Sequence, residues 1–375
     1  MTTITGARIG ESRPESDAAA RDVPSLSPKV AEAERCDASG DHGRAIDLLA
    51  AACREDDVDA LTRLGKRLLV GANAPHRPAD AVVLLTRAAD LGGAEAAAQY
   101  AVLAAIGVHV QQSWSNALAA IVFAAERGWS AARGQLRVLS DDAALAAEAE
   151  QAEPSDPRIW ARLASAIDLE RWHRPAEGEN LSESPVVRRM PGFAPPAACR
   201  WLIEKARGRL VPALVYDAFR REEHVSQTRT NTWAPFDLVH SDLVGVLIQA
   251  RMCASAGLPF RFLEPLTVLH YDVGEQITEH YDFVDPATPN YAAEIAAKGQ
   301  RKVTFLLYLN DDYEGGETEL PRLGISVKGR CGEGLYFVNA LADGQPDERT
   351  LHAGRPPRRG EKWIVSQFFR DRRVF

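Results

Sequence analysis

Along Val303-Thr304-Phe305-Leu306-Leu307-Tyr308, apolar side chains occupy both faces of a two-residue period: Val303, Phe305 and Leu307 on one, Thr304, Leu306 and Tyr308 on the other. A strand with no solvated face belongs inside a sandwich. A second such strand is predicted at KWIVSQFF, where Lys362, Ile364, Ser366 and Phe368 share a face. Glycine-rich pieces at 311–318 and 329–334 interrupt apolar runs and read as hairpins between short antiparallel strands. Residues 195–210, PPAACRWLIEKARGRL, predict a supporting helix.

The first half follows another rhythm. Ala45, Leu49, Ala52 and Ala60 recur as Ala81, Leu85, Ala88 and Ala96, then as Ala117, Ile121, Ala124 and Ala132, a 36-residue period that Gly71 and Gly107 also obey. Ala-rich amphipathic stretches on such a period predict paired helices stacked as a solenoid. Helix-favouring sequence continues to about Arg174. The fold class is therefore α+β with two domains. Residues 1–27 are polar and expected to be disordered, 28–174 form the helical repeats, 175–188 a linker within HRPAEGENLSESP, and 189–375 the strand-rich domain.

Composition narrows the function classes. A formal net charge of -8 argues against non-specific nucleic-acid binding, and the cluster Arg355, Arg358, Arg359, Arg370, Arg372 and Arg373 reads as a solvated surface or as a guide for an anionic substrate or 2-oxoglutarate. Five cysteines form no C-x-x-C pair, and reduced thiols in a cytoplasm are the simple reading. Neither a signal peptide nor a bilayer-length apolar run is expected, and no phosphate-loop motif points to a nucleotide.

The candidate chemistry lies in His280-Tyr281-Asp282, with His352 some seventy residues on and Lys362 ten further. Two histidines and a carboxylate can cap one face of an octahedral non-haem iron, leaving the other open. On an extended strand His280 and Asp282 leave the same face while Tyr281 points away. Lys362, on a buried strand, needs an anion, which predicts an acidic co-substrate. Tyr308 needs a polar partner, either a bound carboxylate beside Lys362 or the backbone. His224, His240 and His270 are not expected to be ligands.

The stretches LTVLHYDVGEQITEHYDF, KVTFLLYLNDDYEGGETEL and RTLHAGRPPRRGEKWIVSQFF resemble, in order and spacing, the prolyl 4-hydroxylase branch of the iron(II)- and 2-oxoglutarate-dependent dioxygenases. The resemblance implies a double-stranded β-helix, or jelly-roll, of about eight strands. It implies Fe(II) on His280, Asp282 and His352, with 2-oxoglutarate held by Lys362 and Tyr271; Tyr308, by strand alternation, is a further candidate for that carboxylate. It further implies O2 as oxidant, ascorbate as reductant, and Arg229, in an Arg-Thr-Asn stretch near the entrance, as a substrate contact. Ile277 departs from the pattern where many members carry a second tyrosine. The N-terminal repeats, including AADLGGAEAA, look like Sel1-like relatives of tetratricopeptide repeats. Collagen-type prolyl hydroxylases also place a helical peptide-binding domain ahead of the catalytic one. The expected function is hydroxylation of a prolyl or other residue of a peptide or protein. Hydroxylation of a free amino acid or small metabolite, and a non-catalytic scaffold with a degenerate barrel, are the alternatives. The repeats either recruit a polypeptide or only brace or dimerise the barrel.

Overall fold

The computed structural model describes residues 26–151, 156, 158–213, 215–217, 222–224, 227–288, 291–341 and 343–374, of which 215–217 and 222–224 are described as backbone. The stretch expected to be disordered lies outside the described residues up to residue 25; Leu26 packs against the first helices. His224 is described only as backbone.

Ten helices come first: α1 (Pro28–Ala38), α2 (His42–Cys53), α3 (Val58–Val70), α4 (Pro78–Asp90), α5 (Ala94–Ile106), α6 (Trp114–Glu126), α7 (Ser130–Leu139), α8 (Ala143–Glu148), α9 (Ile159–Ser165) and α10 (Leu169–His173). Side-chain caps start some of them: Asp57 accepts from the Ala60 amide at 2.9 Å, and Ser113 from that of Asn116 at 3.2 Å. Left-handed glycines end α3 and α5, Gly71 at φ +72° and Gly107 at φ +81°. Ala45, Ala81 and Ala117 are fully buried, as are Leu85 and Ile121. The 36-residue period is therefore a packing period: Gly65 of α3 lies against Ala81 and Leu85 of α4, so small residues let neighbouring helices approach closely.

The second half contains β1 (Glu179–Glu183), β2 (Val186–Met190), α11 (Pro196–Arg207), β3 (Val211–Pro212), β4 (Val215–Asp217), β5 (Glu222–His224), β6 (Thr232–Phe236), α12 (Leu243–Ala256), β7 (Leu266–Tyr271) and β8 (Ile277–His280). After α13 (Tyr291–Lys298) follow β9 (Arg301–Tyr308), β10 (Glu314–Gly315), β11 (Thr318–Leu320), β12 (Ile325–Val327), β13 (Gly334–Val338), β14 (His352–Gly354), β15 (Pro357–Arg359) and β16 (Lys362–Arg370). A major sheet runs β1-β2-β13-β9-β16-β7-β6-β3 and a minor one β12-β11-β14-β8. Leu269, Leu306, Phe337 and Ile364 of the major sheet meet Leu320 and Val327 of the minor sheet in one apolar layer, so the two sheets face each other. Four strands of each, β7, β9, β13 and β16 against β8, β11, β12 and β14, make the expected eight-stranded double β-helix.

Two expectations are corrected. The glycine-rich pieces are not hairpins: β9 pairs with β13 and β16, and β12 pairs with β11, so both pieces carry the chain across from one sheet to the other. The linker is shorter than expected, because β1 and β2 form a hairpin and Arg188 pairs with Tyr336 at the edge of the major sheet. Polar edge strands carry little apolar signal, and that hid them.

The two halves share a core. Ala101, Ile121, Leu136 and Leu163 of the helical part belong to one cluster with Leu247 of α12 and with Val268, Phe305 and Val365 on the outer face of the major sheet. Segment 237–243, which leads into α12, lies against the second helices of the repeat pairs. Gln99 of α5 donates to the Leu238 carbonyl at 2.7 Å, and Gln135 of α7 accepts from the Leu243 amide at 2.9 Å.

Candidate metal and co-substrate site

Antiparallel pairing of β8 with β14 puts His280 directly opposite His352, with ring centroids 4.2 Å apart. The β8 strand ends at His280 and the chain then bends, so Asp282 reaches the site from just past the strand rather than along it. Its carboxylate lies 3.5 Å from His280 Nε2 through Oδ1 and 3.2 Å from His352 Nε2 through Oδ2. Ligand atoms of these three residues all lie within 4.8 Å of one another, the one such group found among the described residues.

Each imidazole is held from behind. His280 Nδ1 is 2.8 Å from the Thr278 carbonyl and His352 Nδ1 is 3.0 Å from the Thr350 carbonyl. A carbonyl only accepts, so Nδ1 carries the proton and the Nε2 lone pair points at the triad. Burial works against ionising Asp282, but the neighbouring imidazoles, His352 first, hold its carboxyl well below the usual carboxylate range. Burial, and then His352, push His280 below the usual imidazole range. An anionic carboxylate and imidazole lone pairs are what a divalent first-row metal takes as ligands.

Lys362 lies deeper in the same cavity, which encloses about 790 Å³ and is also lined by Arg229, Trp233, Tyr271, Ile277 and Ile364. Its Nζ is fully buried without a hydrogen-bond partner, 5.1 Å from the centroid of the Tyr271 ring and 5.9 Å from that of Tyr308. Burial pushes the amine down to about 7, against a weaker upward pull from Glu317. A buried cation site facing a cavity is incomplete without an anion, so the donor set fits the far carboxylate of a dicarboxylic co-substrate beside a metal. Gly316, at φ +70°, leaves room for the lysine stem: a Cβ there would stand 3.3 Å from Lys362 Cδ.

The remaining expected residues sort themselves. Tyr271 is buried on the cavity wall and burial raises its phenol to about 12. The Tyr308 hydroxyl donates to Thr318 Oγ1 at 2.9 Å, so its polar partner is a side chain of the minor sheet. Arg229 is half-buried in the cavity wall, bonded to Asn231 at 3.3 Å and stacked on Trp233 at 5.5 Å, with no ion pair among the described residues. Tyr281 stacks on Phe283 at 4.6 Å and both rings line the cavity, so Tyr281 is part of the wall. His270 bonds to Thr232 at 3.1 Å and His240 to Asp237 at 2.6 Å, outside the triad. Arg370 is not a surface residue: it is 2% exposed and bonds Glu264 and Glu294. Reasoning from sequence missed Thr304, which holds Asp282 from behind, and Asn339, which holds Thr304. The available signal was a hydroxyl on the inner face of an otherwise apolar strand.

Residues 266–370 match the family described as the 2OG-Fe(II) oxygenase superfamily. Probable prolyl 4-hydroxylase 9 of Arabidopsis thaliana is 31% identical over 209 residues, covering 51% of this chain and 70% of that protein. Prolyl 4-hydroxylase 13 of the same plant is 31% identical over 208 residues, covering 51% and 73% respectively. Among solved structures, the 2OG complex of the viral collagen prolyl hydroxylase vCPH from Paramecium Bursaria Chlorella virus-1 is 26% identical. It covers 48% of this chain and 94% of its own, at a TM-score of 0.38.

Proposed function

Because this chain belongs to the prolyl 4-hydroxylase family of 2-oxoglutarate- and Fe(II)-dependent oxygenases, we propose that it hydroxylates prolyl residues of a peptide or protein. The observation that carries the reading is the pairing of the His280, Asp282 and His352 triad with an orphaned, buried Lys362 in one cavity. Fe(II) and 2-oxoglutarate, when bound, supply oxygen activation, coupling decarboxylation to succinate and CO2 with hydroxylation of an unactivated carbon.

This chain's own part is placement. His280 and His352 present Nε2 because the carbonyls of Thr278 and Thr350 hold the opposite nitrogen. Lys362 takes the far carboxylate of the co-substrate and so sets its reach toward the triad. Buried Leu306 and Ile364 keep water from that end. Arg229 meets the substrate at the wall, through a carbonyl or carboxylate, and the Tyr281–Phe283 rings offer it an apolar surface. The repeats serve chiefly as a brace for α12, since segment 237–243 is bonded to α5 and α7 among their second helices. Ascorbate is the proposed reductant. The five cysteines, all free, suit a reducing compartment such as the cytoplasm.

Succinate release tests this. Fe(II)-loaded protein given 2-oxoglutarate and air should form succinate faster when proline-rich peptides are added, with a 16-Da mass gain on the peptide. Asp282→Ala should abolish turnover, and Lys362→Ala should raise the 2-oxoglutarate KM at least tenfold, roughly the loss of one charge-assisted contact. Turnover stimulated by a free amino acid and not by peptides would overturn the peptide assignment. Asp282→Ala at wild-type rate would overturn the site.

A further inference from the structure

Thr304 stands on the inner face of β9 with no solvent exposure, and Asn339 is equally buried just past the end of β13. The Thr304 hydroxyl is 2.7 Å from Asp282 Oδ2, and Asn339 Nδ2 is 2.8 Å from Thr304 Oγ1. Chemistry orders the protons along this line. A carboxylate only accepts, so the one hydroxyl proton goes to Asp282, and Asn339 must turn its NH2 toward the threonine. Turned the other way, the amide oxygen would compete with Asp282 for that proton. The Asn339 Oδ1 atom accordingly meets no donor.

The same asparagine reaches the second ligand. Its backbone carbonyl accepts from the Asp347 amide at 2.9 Å, the Asp347 carbonyl accepts from Thr350 Oγ1 at 2.7 Å, and the Thr350 carbonyl holds His352 Nδ1 at 3.0 Å. We infer that Thr304 and Asn339 form a proton-ordered relay that positions Asp282 for metal binding, and that Asn339 ties it to the turn that orients His352. These are positioning residues: they act on the metal through Asp282 and His352. The inference rests on the reading of the triad as a metal centre.

The test is metal binding without turnover. Mn(II) is titrated calorimetrically into the full-length protein without 2-oxoglutarate, and Co(II) ligand-field spectra are recorded alongside, with circular dichroism melts for every variant. Thr304→Val should weaken Mn(II) binding about 10- to 100-fold, the usual consequence of losing an outer partner of a metal ligand. It should also shift the Co(II) bands, while Thr304→Ser stays within about twofold of wild type because the donor is restored. Asn339→Asp keeps the shape and, once ionised, only accepts, so it draws the threonine proton away and should match Thr304→Val, with a binding loss that grows between pH 6 and about pH 8 as the new buried carboxyl ionises. Asn339→Ala leaves that proton free for Asp282 and should be milder. A merely packing role predicts the reverse order, the cavity of alanine being worse than the isosteric aspartate. That reverse order, or Thr304→Val binding like wild type, overturns the relay. If Asn339→Asp does not fold, the Thr304→Val and Thr304→Ser pair decides. Wild-type protein that binds no Mn(II) would instead overturn the metal reading itself.

Discussion

Lys362 carries a burden that depends on pH. Its amine titrates at about 7 in the folded chain because burial disfavours the charge, whereas an unfolded lysine titrates near roughly 10.4. Between these values the unfolded chain holds the extra proton, so stability rises with pH through that window, and the cost of Lys362 is greatest below pH 7. A dicarboxylate reverses the situation by stabilising the ammonium. Binding of 2-oxoglutarate at pH 8.5 should therefore take up close to one proton, read by calorimetry in buffers of different ionisation enthalpy. Lys362→Arg, charged throughout, should show none, and uptake unchanged in that variant would refute the assignment. The triad and Lys362 were legible in the sequence because H-x-D, the distal His352 and Lys362 stand in one order and spacing with their flanking stretches, although H-x-D alone recurs by chance. Thr304 and Asn339 were not, since threonine and asparagine are ordinary residues and their partners lie 22 and 35 residues away along the chain.

At the scale of elements, alternation along β9 and β16 gave the correct faces: Phe305 and Val365 join the outer core, Leu306 and Ile364 the inner one. Glycines marked where pairing breaks but not which sheet the chain enters next, because turn chemistry is local and sheet assignment is not. The connection ahead of β13 illustrates the constraint. Gly332 sits at φ +79°, its amide bonded to the Tyr308 carbonyl at 2.8 Å and its own carbonyl to the Ala194 amide at 3.0 Å. A Cβ there would lie 2.1 Å from the Ala194 carbonyl oxygen, and both flanking bonds keep the backbone from yielding. Gly332→Ala should cost at least about 2 kcal/mol, a left-handed strain with a backbone clash added. The readout is a lower urea midpoint at unchanged slope. Gly344, also at positive φ but with open space around its Cβ position, should lose less when changed in the same way.

For the whole molecule, the shared core predicts coupled unfolding. Leu136 of α7 is fully buried in the cluster that reaches Val365. Leu136→Ala should cost about 2–5 kcal/mol. It should also lower hydrogen-exchange protection in β9 and β16 as well as in the helices. Loss confined to the helices would mean that the halves open independently. The 36-residue period announced the helices, yet nothing in the sequence announced their junction with the barrel, because Gln99 and Gln135 look like ordinary helix surface until Leu238 and Leu243 arrive. That junction bears on any outside partner. A segment held by the same chain competes at an effective concentration on the order of millimolar, so a free peptide of equal intrinsic affinity would hardly displace it. Part of the surface where a helical repeat would greet a visitor is already kept by a resident that cannot diffuse away.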